Sequence, residues 1–297
     1  MYSAPVRAFT VAILFLAGAC GGDDPRAPLE TSLEVMTVNV RHDVDEWERR
    51  FELIADEIVR LDPDLIGLQE IEIAAEQSQA LLELIAERGG ADYELYEQLK
   101  WHPVGVLTGE GIGIMSRYPI VESNVADLGE QGRVTVWTRV DLGDGYEVDM
   151  YNTHLESGDV GERPGDEVRT EQAMRTLAFI EETGSAPVAF LTGDLNATDD
   201  TDAYNVLIEG QLIDSYPAVH GDATAETGNT SPIVLMEGAE QDPDRRIDYV
   251  FSRVHPDEQR AVATPSESII CFENADDAGF YPSDHLGVMT TFDLVIP

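Results

Sequence analysis

The sequence is poor in basic residues. It has 18 lysines and arginines against 58 aspartates and glutamates, a formal net charge of -40, and Lys100 is its only lysine. Such a surface repels polyphosphates and attracts cations. It argues against a protein that tracks along duplex DNA, which needs several basic side chains on the phosphates. A solubility adaptation, such as life at high salt, would explain the charge equally well and leaves the substrate open.

Cysteine is also scarce, with two residues, Cys20 and Cys271. Two cysteines cannot build the disulfide framework of a small secreted protein. A chain of 297 residues does not need one, because a domain of this size buries roughly three quarters of its unfolded surface. Cys271 lies between Ile270 and Phe272, so we expect a lone thiol that packs as a small hydrophobic side chain.

The apolar run near the start of the chain is too short for a membrane-spanning helix, which takes about 20 residues. This run, Ala8 to Ala19, follows Arg7 and has the length of a signal-peptide core. It ends in Leu16-Ala17-Gly18-Ala19-Cys20, which resembles a bacterial lipobox, although Ala17 replaces the usual leucine three places before the cysteine. The same segment would also serve as an ordinary A-x-A-like cleavage site.

These features predict an exported protein with a signal peptide at 1–20, a polar tether at 21–32 and one domain at 33–297. We expect lipidation at Cys20, membrane contact through that lipid anchor only, and a location on the outer membrane or cell surface. Plain cleavage would instead give a periplasmic or secreted protein. We expect a monomer.

Hydrophobic periodicity alternates between strands and helices along the domain. Apolar residues at helical spacing from Trp47 to Leu61 predict a first helix, which Asp62-Pro63 ends. Alternation on both sides of Gly143-Asp144-Gly145 predicts a hairpin of strands 134–142 and 146–153. Other predicted strands are 33–40, 65–69, 112–116, 188–192, 247–252 and 287–295, and other predicted helices are 74–87, 168–182 and 203–209.

Polar side chains stand at the ends of several predicted strands, where functional sites are usually built. Each one alone has an ordinary explanation, such as a turn aspartate or a buried histidine. Together they occur as Asn39, Leu68-Gln69-Glu70, Asn152-Thr153-His154-Leu155, Gly193-Asp194-Leu195-Asn196, Ile247-Asp248-Tyr249 and Ser283-Asp284-His285.

This order resembles the endonuclease/exonuclease/phosphatase superfamily over nearly the whole domain. Asn39-x-Arg41-x-Asp43, followed by Trp47 and Arg50, is similar to its secreted bacterial branch, in which Arg169 also recurs. The resemblance implies a deoxyribonuclease I-like fold, a four-layer α/β/β/α sandwich with two mixed or antiparallel sheets. Trp47 and Arg50 more simply pack the first helix than contact a substrate.

The resemblance also implies roles for these residues. Asn39, Glu70 and Asp284 would form a divalent-metal site, commonly for Mg²⁺, with Mn²⁺ or Ca²⁺ as alternatives, and the sparse oxygen ligands suit Mg²⁺. The sequence lacks the Cys/His cluster typical of zinc. Arg41 and Arg169 would bind substrate. The residues implied to be catalytic are His154, Asp194, Asn196, Asp248 and His285.

Two candidates for the general base remain open, Asp194 and the His285-Asp248 pair. The predicted activity is hydrolysis of a phosphodiester or phosphomonoester by direct attack of water. The substrate would be a small phosphate ester, a lipid headgroup or a short nucleic acid. The alternative is a catalytically inactive surface-binding lipoprotein on the same fold, although none of the polar positions is missing.

Overall fold

A computed structural model describes residues 26–100, 109–236 and 239–297. The predicted signal peptide, Cys20 and residues 21–25 of the predicted tether lie outside the described residues. The strands are β1 (Leu29–Asn39), β2 (Leu65–Glu72), β3 (Glu94–Leu99), β4 (Glu110–Ser116), β5 (Ile120–Asp127), β6 (Val134–Asp141), β7 (Glu147–His154), β8 (Val188–Asp194), β9 (Ile213–Asp214), β10 (Asp248–Val254), β11 (Val262–Cys271) and β12 (Gly287–Ile296). The α-helices are α1 (Trp47–Leu61), α2 (Gln77–Glu87), α3 (Gly165–Thr183), α4 (Asp202–Glu209), α5 (Ser215–His220) and α6 (Thr224–Thr227).

The strands form two mixed six-stranded sheets. One has the order β11-β12-β1-β2-β4-β3, and the other has the order β5-β6-β7-β8-β10-β9. Each sheet holds one parallel pair at its centre, β1 with β2 and β7 with β8, and its other neighbours are antiparallel. Parallel pairs need a crossover connection, which α1 and α3 supply.

Three hydrophobic clusters hold four layers together. The central cluster lies between the two sheets and includes Val35, Ile114, Val136 and Phe190. A second cluster packs α1 and α2 on the first sheet, and a third packs α3 and α4 on the second sheet. The predicted α/β/β/α sandwich with mixed sheets is therefore confirmed.

Helix α1 shows how the sequence pattern becomes structure. Its apolar residues Phe51, Ile54 and Ile58 fall on one face and are buried against the first sheet. The helix ends at Leu61 because Asp62 adopts a left-handed conformation and Pro63 cannot continue the helix. Among the described residues, no helix combines the length and the apolar character needed to cross a bilayer.

Arg50 is a buried charge on the inner face of α1. Its guanidinium donates to the backbone carbonyls of Val40, Arg41, His42 and Val44. The side chain thus binds the loop that follows β1, and the prediction that Arg50 packs the first helix agrees with this geometry.

The structure corrects the predicted start of the domain. The predicted tether ends too late, because Leu29 to Ser32 already pair with β12 in the register Leu29 to Ile296. Their alternation of apolar and polar residues continues that of the rest of the strand.

Cys271 is 1% exposed and a free thiol, so its prediction as a buried small hydrophobic residue is confirmed.

Candidate active site

The predicted polar residues come from strand ends that lie on one edge of the sandwich. Asn39 ends β1 beside Gln69 of β2, and His154 ends β7 beside Asp194 of β8. The antiparallel strand β10 begins at this edge, where Asp248 pairs with Asp194. The loop before β12 brings in Asp284 and His285.

Asp194 lies at the centre of this arrangement and is 1% exposed. Its Oδ1 accepts from the backbone N–H of Asn196 at 2.8 Å. Its Oδ2 accepts from Asn39 Nδ2 at 3.1 Å, which joins the two sheets. The same oxygen lies 3.6 Å from His154 Nε2 and 3.8 Å from His285 Nδ1. Burial, with the charge of Asp248, raises the pKa of Asp194 to about 7.

His285 and Asp248 form a buried ion pair. His285 Nδ1 is 2.9 Å from Asp248 Oδ2, and that oxygen also accepts from Thr230 Oγ1 at 2.6 Å. Burial lowers the pKa of His285, but the negative charges of Asp248 and Asp194 outweigh it and raise the pKa to about 10. The two carboxylates thus favour the imidazolium form of His285 at neutral pH.

His154 is an uncharged histidine between two carboxylates. Its Nε2 lies 3.9 Å from Glu70 Oε1 and 3.6 Å from Asp194 Oδ2. Burial, followed by the charge of Arg133, holds the pKa of His154 well below its usual range. Glu70 and Asp194 thus lie on the same face of the site, as the predicted function requires.

An irregularity in β2 sets the orientation of the Glu70 side chain. The pairing of β2 with β4 shifts register between Leu68 and Ile71, and Glu70 has a φ of 55°. Its Oε2 lies 3.2 Å from His42 Nε2, which is also 3.4 Å from Glu110 Oε2. Burial lowers the pKa of His42. In the described part of the chain, the Glu70 carboxylate is therefore contacted by two imidazoles that carry no charge at neutral pH.

This environment fits a bound cation. Ligand atoms of His42, Glu70 and Glu110 all lie within 4.8 Å of one another, and those of Asp194, Asp248 and His285 form a second such group. The other two predicted metal ligands are engaged in this structure. The Asn39 amide bonds Asp194 and the backbone of Arg41, and Asp284 forms an ion pair with Arg41. Glu70 is thus the predicted ligand whose negative charge most needs a cation.

The two arginines predicted to bind substrate differ in position. Arg41 pairs with Asp284 and with Asp45, so it lies within the site. Arg169, on α3, donates to the carbonyl oxygen of Glu156 at 2.9 Å and pairs with Asp166. Among the described residues, its contacts hold the loop after His154 and do not reach the other predicted site residues.

Sequence reasoning missed several residues that the fold brings to the site, namely His42, Lys100, Glu110, Arg133 and Thr230. These residues lie outside the strand-end motifs of the sequence. Pairing between segments that are distant in the sequence brings them to the site. The one available signal was Lys100, since a single lysine in so acidic a chain is unusual.

A buried polar layer joins the two sheets beneath the site. Gln69 Nε2 donates to Asn152 Oδ1 at 2.7 Å and to Thr37 Oγ1 at 3.0 Å. Asn152 Nδ2 donates to the carbonyl oxygens of Leu68 and Gly113 in the opposite sheet. These bonds fix one sheet against the other where the site residues meet.

The sequence comparison gives a family match over most of the domain. Residues 36–285 match the model of the Endonuclease/Exonuclease/phosphatase family. None of the curated proteins compared with the chain matches its sequence.

Solved structures with similar folds come from bacteria and from animals. A Bacteroides vulgatus endonuclease/exonuclease/phosphatase superposes with a TM-score of 0.68 at 21% identity, over 89% of this chain and 99% of its own. D. rerio TDP2, complexed with a single-strand DNA product, gives 0.68 at 22% identity over 89% and 99%. A Bacteroides thetaiotaomicron mannosyl-6-phosphatase gives 0.67 at 22% identity over 89% and 100%. At these identities the similarity establishes the fold.

Proposed function

Since the chain belongs to the Endonuclease/Exonuclease/phosphatase family, whose members are phosphoesterases and nucleases, we propose that it hydrolyses phosphate esters with the help of a divalent cation. One observation carries this proposal. Glu70, His154, Asp194, Asp248 and His285 come from five separate elements and form one chain of contacts: His154 lies between Glu70 and Asp194, and His285 lies between Asp194 and Asp248. A purely structural role would not require so many ionisable groups in one place.

The proposed cation is Mg²⁺, and Mn²⁺ or Ca²⁺ would serve as alternatives. Glu70 would hold it, with Asn39 and Asp284 beside it, and the neutral histidines around Glu70 support this assignment. When bound, a divalent cation neutralises charge that develops on the phosphoryl oxygens.

Asp194 is the proposed general base. Its pKa of about 7 suits proton transfer at neutral pH, whereas a His285 with a pKa near 10 already holds its proton. Asp194 takes a proton from water, with Asn196 beside it to orient the water. The water oxygen bonds to phosphorus as the ester P–O bond breaks, and solvent protonates the departing oxygen.

The two histidines then have separate roles. The imidazolium of His285, held by Asp248, stabilises negative charge near phosphorus. The neutral imidazole of His154 donates a hydrogen bond to a phosphoryl oxygen or to the leaving group. Arg41 lies within reach of the same space and is proposed to bind substrate, while Arg169 supports the loop after His154.

The test is a panel of substrates given to the purified domain with Mg²⁺. Nitrophenyl phosphate, bis-nitrophenyl phosphate, sphingomyelin, inositol phosphates and DNA cover the candidate classes. We expect hydrolysis of at least one ester and a loss of at least ~10²-fold in kcat in the Asp194→Asn variant, the usual scale for an acid–base group. Thr198→Ala, in an exposed turn, is the control. No hydrolysis in the whole panel would favour the inactive binding lipoprotein.

We also propose that the protein is exported and lipidated at Cys20. The lipobox-like sequence supports this, and β1 begins at Leu29, which leaves a short connection of at most ~30 Å when extended. Fractionation of the native host tests it. Wild type should enter the detergent phase and Cys20→Ala should not, while a wild-type protein that is soluble outside the cell would indicate plain secretion.

A further inference from the structure

The single lysine of the chain lies buried next to the candidate site. Lys100 is 7% exposed, and its Nζ forms an ion pair with Glu110. The other oxygen of Glu110 lies 3.4 Å from His42 Nε2, which contacts Glu70. Glu70 belongs to β2, Glu110 belongs to β4 and Lys100 directly follows β3, and these are three neighbouring strands of one sheet.

Arg133 is a second buried cation, supplied by the opposite sheet. It directly precedes β6, whose Thr135 pairs with Thr153 next to His154. Arg133 is 8% exposed, and its Nε lies 3.5 Å from Glu156 Oε2. Its Nη1 is buried and bonds no other group in the described part of the chain. A buried guanidinium N–H without an acceptor costs free energy, so this atom is a ready partner for an anionic ligand.

The Lys100 and Arg133 side chains are close enough for their charges to interact. Burial is the main reason that the pKa values of Lys100 and His154 are lowered, and the charge of Arg133 is the next cause for both. Strands β3 and β4 also pack against β6 across the sandwich. Lys100 is thus linked to Glu70 through Glu110 and His42 in one sheet, while His154, which contacts Glu70, and Arg133 come from the facing sheet.

We propose that Lys100 and Arg133 bind the non-bridging oxygens of a phosphoryl dianion, so that the enzyme prefers phosphomonoesters to phosphodiesters. This inference rests on the proposed function. A monoester has three non-bridging oxygens and close to two negative charges at neutral pH, because its second pKa is about 6. A diester has two such oxygens and one charge. The groups proposed to contact the phosphoryl oxygens are the cation held by Glu70 and the side chains of His154, Lys100 and Arg133. They offer more positive and hydrogen-bonding partners than the two non-bridging oxygens of a diester can use.

Steady-state kinetics of Lys100 variants test the preference. Lys100→Gln should lower kcat/KM for nitrophenyl phosphate by at least ~10-fold and for bis-nitrophenyl phosphate by no more than ~3-fold, since a hydrogen bond to a charged group typically contributes at least the larger factor. Lys100→Arg keeps the charge and should retain most monoester activity. Arg60→Gln, an exposed change on α1, is the control and should leave both rates unchanged. An equal loss on both esters in Lys100→Gln would mean that Lys100 only anchors β3 to β4, and would overturn the inference while leaving the proposed function intact.

A binding measurement makes the test independent of turnover. Lysine labelled with ¹⁵N at Nζ marks one atom in the whole chain, so its NMR signal needs no assignment beyond comparison with Lys100→Arg. We expect inorganic phosphate to shift this signal and dimethyl phosphate, a diester monoanion, to leave it in place. Equal responses to the two ions, or no response to phosphate, would contradict the proposal even if the wild-type protein hydrolysed neither ester.

Discussion

Asp194 shows how the environment of one residue sets its chemistry. Burial and the nearby charge of Asp248 raise its pKa, while His285 and the N–H of Asn196 oppose that rise. The first two effects are larger, so a carboxyl group whose pKa is normally near 4 titrates near neutrality. The pKa of His285 is raised as well, because the negative charges of Asp248 and Asp194 outweigh burial, and this favours the positively charged imidazolium.

The raised pKa of His285 has a consequence for stability. A group whose folded pKa exceeds its unfolded value of about 6.5 contributes its full stabilisation below that value and loses it as the pH rises through the folded pKa. With a folded pKa of about 10, the contribution of His285 declines from pH ~6.5 to pH ~10.

We therefore expect the difference in free energy of unfolding between wild type and His285→Gln to shrink as the pH rises from ~6.5 to ~10. Denaturant titrations of both proteins, in chelator, give this difference at each pH. His255→Gln, a change at a partly exposed histidine outside the site, is the control. A constant difference across this range would mean that His285 is not charged in the folded protein.

At the scale of elements, the site depends on loops that follow regular strands. The loop after β1 holds Arg41 and His42, both with positive φ, and Arg50 of α1 binds its carbonyl oxygens. One buried guanidinium thus takes the place of the backbone partners that a strand would provide.

Arg50→Lys should therefore destabilise the protein by about 2–4 kcal/mol, because an ammonium cannot reach all of these carbonyls. Arg60→Lys is the matched control on the same helix, where the side chain is exposed and pairs with Glu57, and it should cost less than ~0.5 kcal/mol. Chemical denaturation measures both. Equal stabilities of the two variants would show that the loop does not depend on Arg50.

The sequence pattern predicted the central strands of both sheets but not the edge strands. Strands β3, β5, β9 and β11, which were not predicted, are the four edge strands of the two sheets. Edge strands bury less of their surface, so their hydrophobic pattern is weak, and β5 is largely exposed. Pro265 and a register shift further obscure β11.

The lack of a local sequence pattern also limited the prediction of site residues. Residues that directly end a predicted strand, such as His154 and Asp194, could be found because the pattern of the strand marks them. Lys100 and Arg133 could not be assigned, since β3 was itself unpredicted and Arg133 depends on the packing of one sheet against the other. Pairing between distant segments leaves no local signal in one sequence.

For the whole molecule, the net charge bears on the proposed substrate. A net charge of -40 repels polyanions at a distance, and Arg41, Lys100, Arg133 and His285 are each paired with a carboxylate in or near the site. The surface charge therefore supports the proposal of a small phosphate ester over a long nucleic acid that must lie along the surface.

The two sheets contribute about equally to the site, with Asn39 and Glu70 from one and His154, Asp194 and Asp248 from the other. The bonds of Gln69 and Asn152 between the sheets therefore set the distances on which catalysis depends. The proposed divalent-metal dependence would link both halves, because Glu70 would hold the cation in one sheet while Asp194 would activate water in the other.

The most direct test of that dependence is a chelation and add-back experiment. The purified protein is treated with excess EDTA, freed of chelator and titrated with Mg²⁺ while nitrophenyl phosphate and bis-nitrophenyl phosphate hydrolysis is followed, with Glu70→Gln measured alongside. We expect turnover to vanish in chelator, to return with Mg²⁺, and to require a higher Mg²⁺ concentration in Glu70→Gln, which removes one charge but keeps the shape. Undiminished turnover of the wild type in thorough chelation would contradict a metal-dependent mechanism at this site.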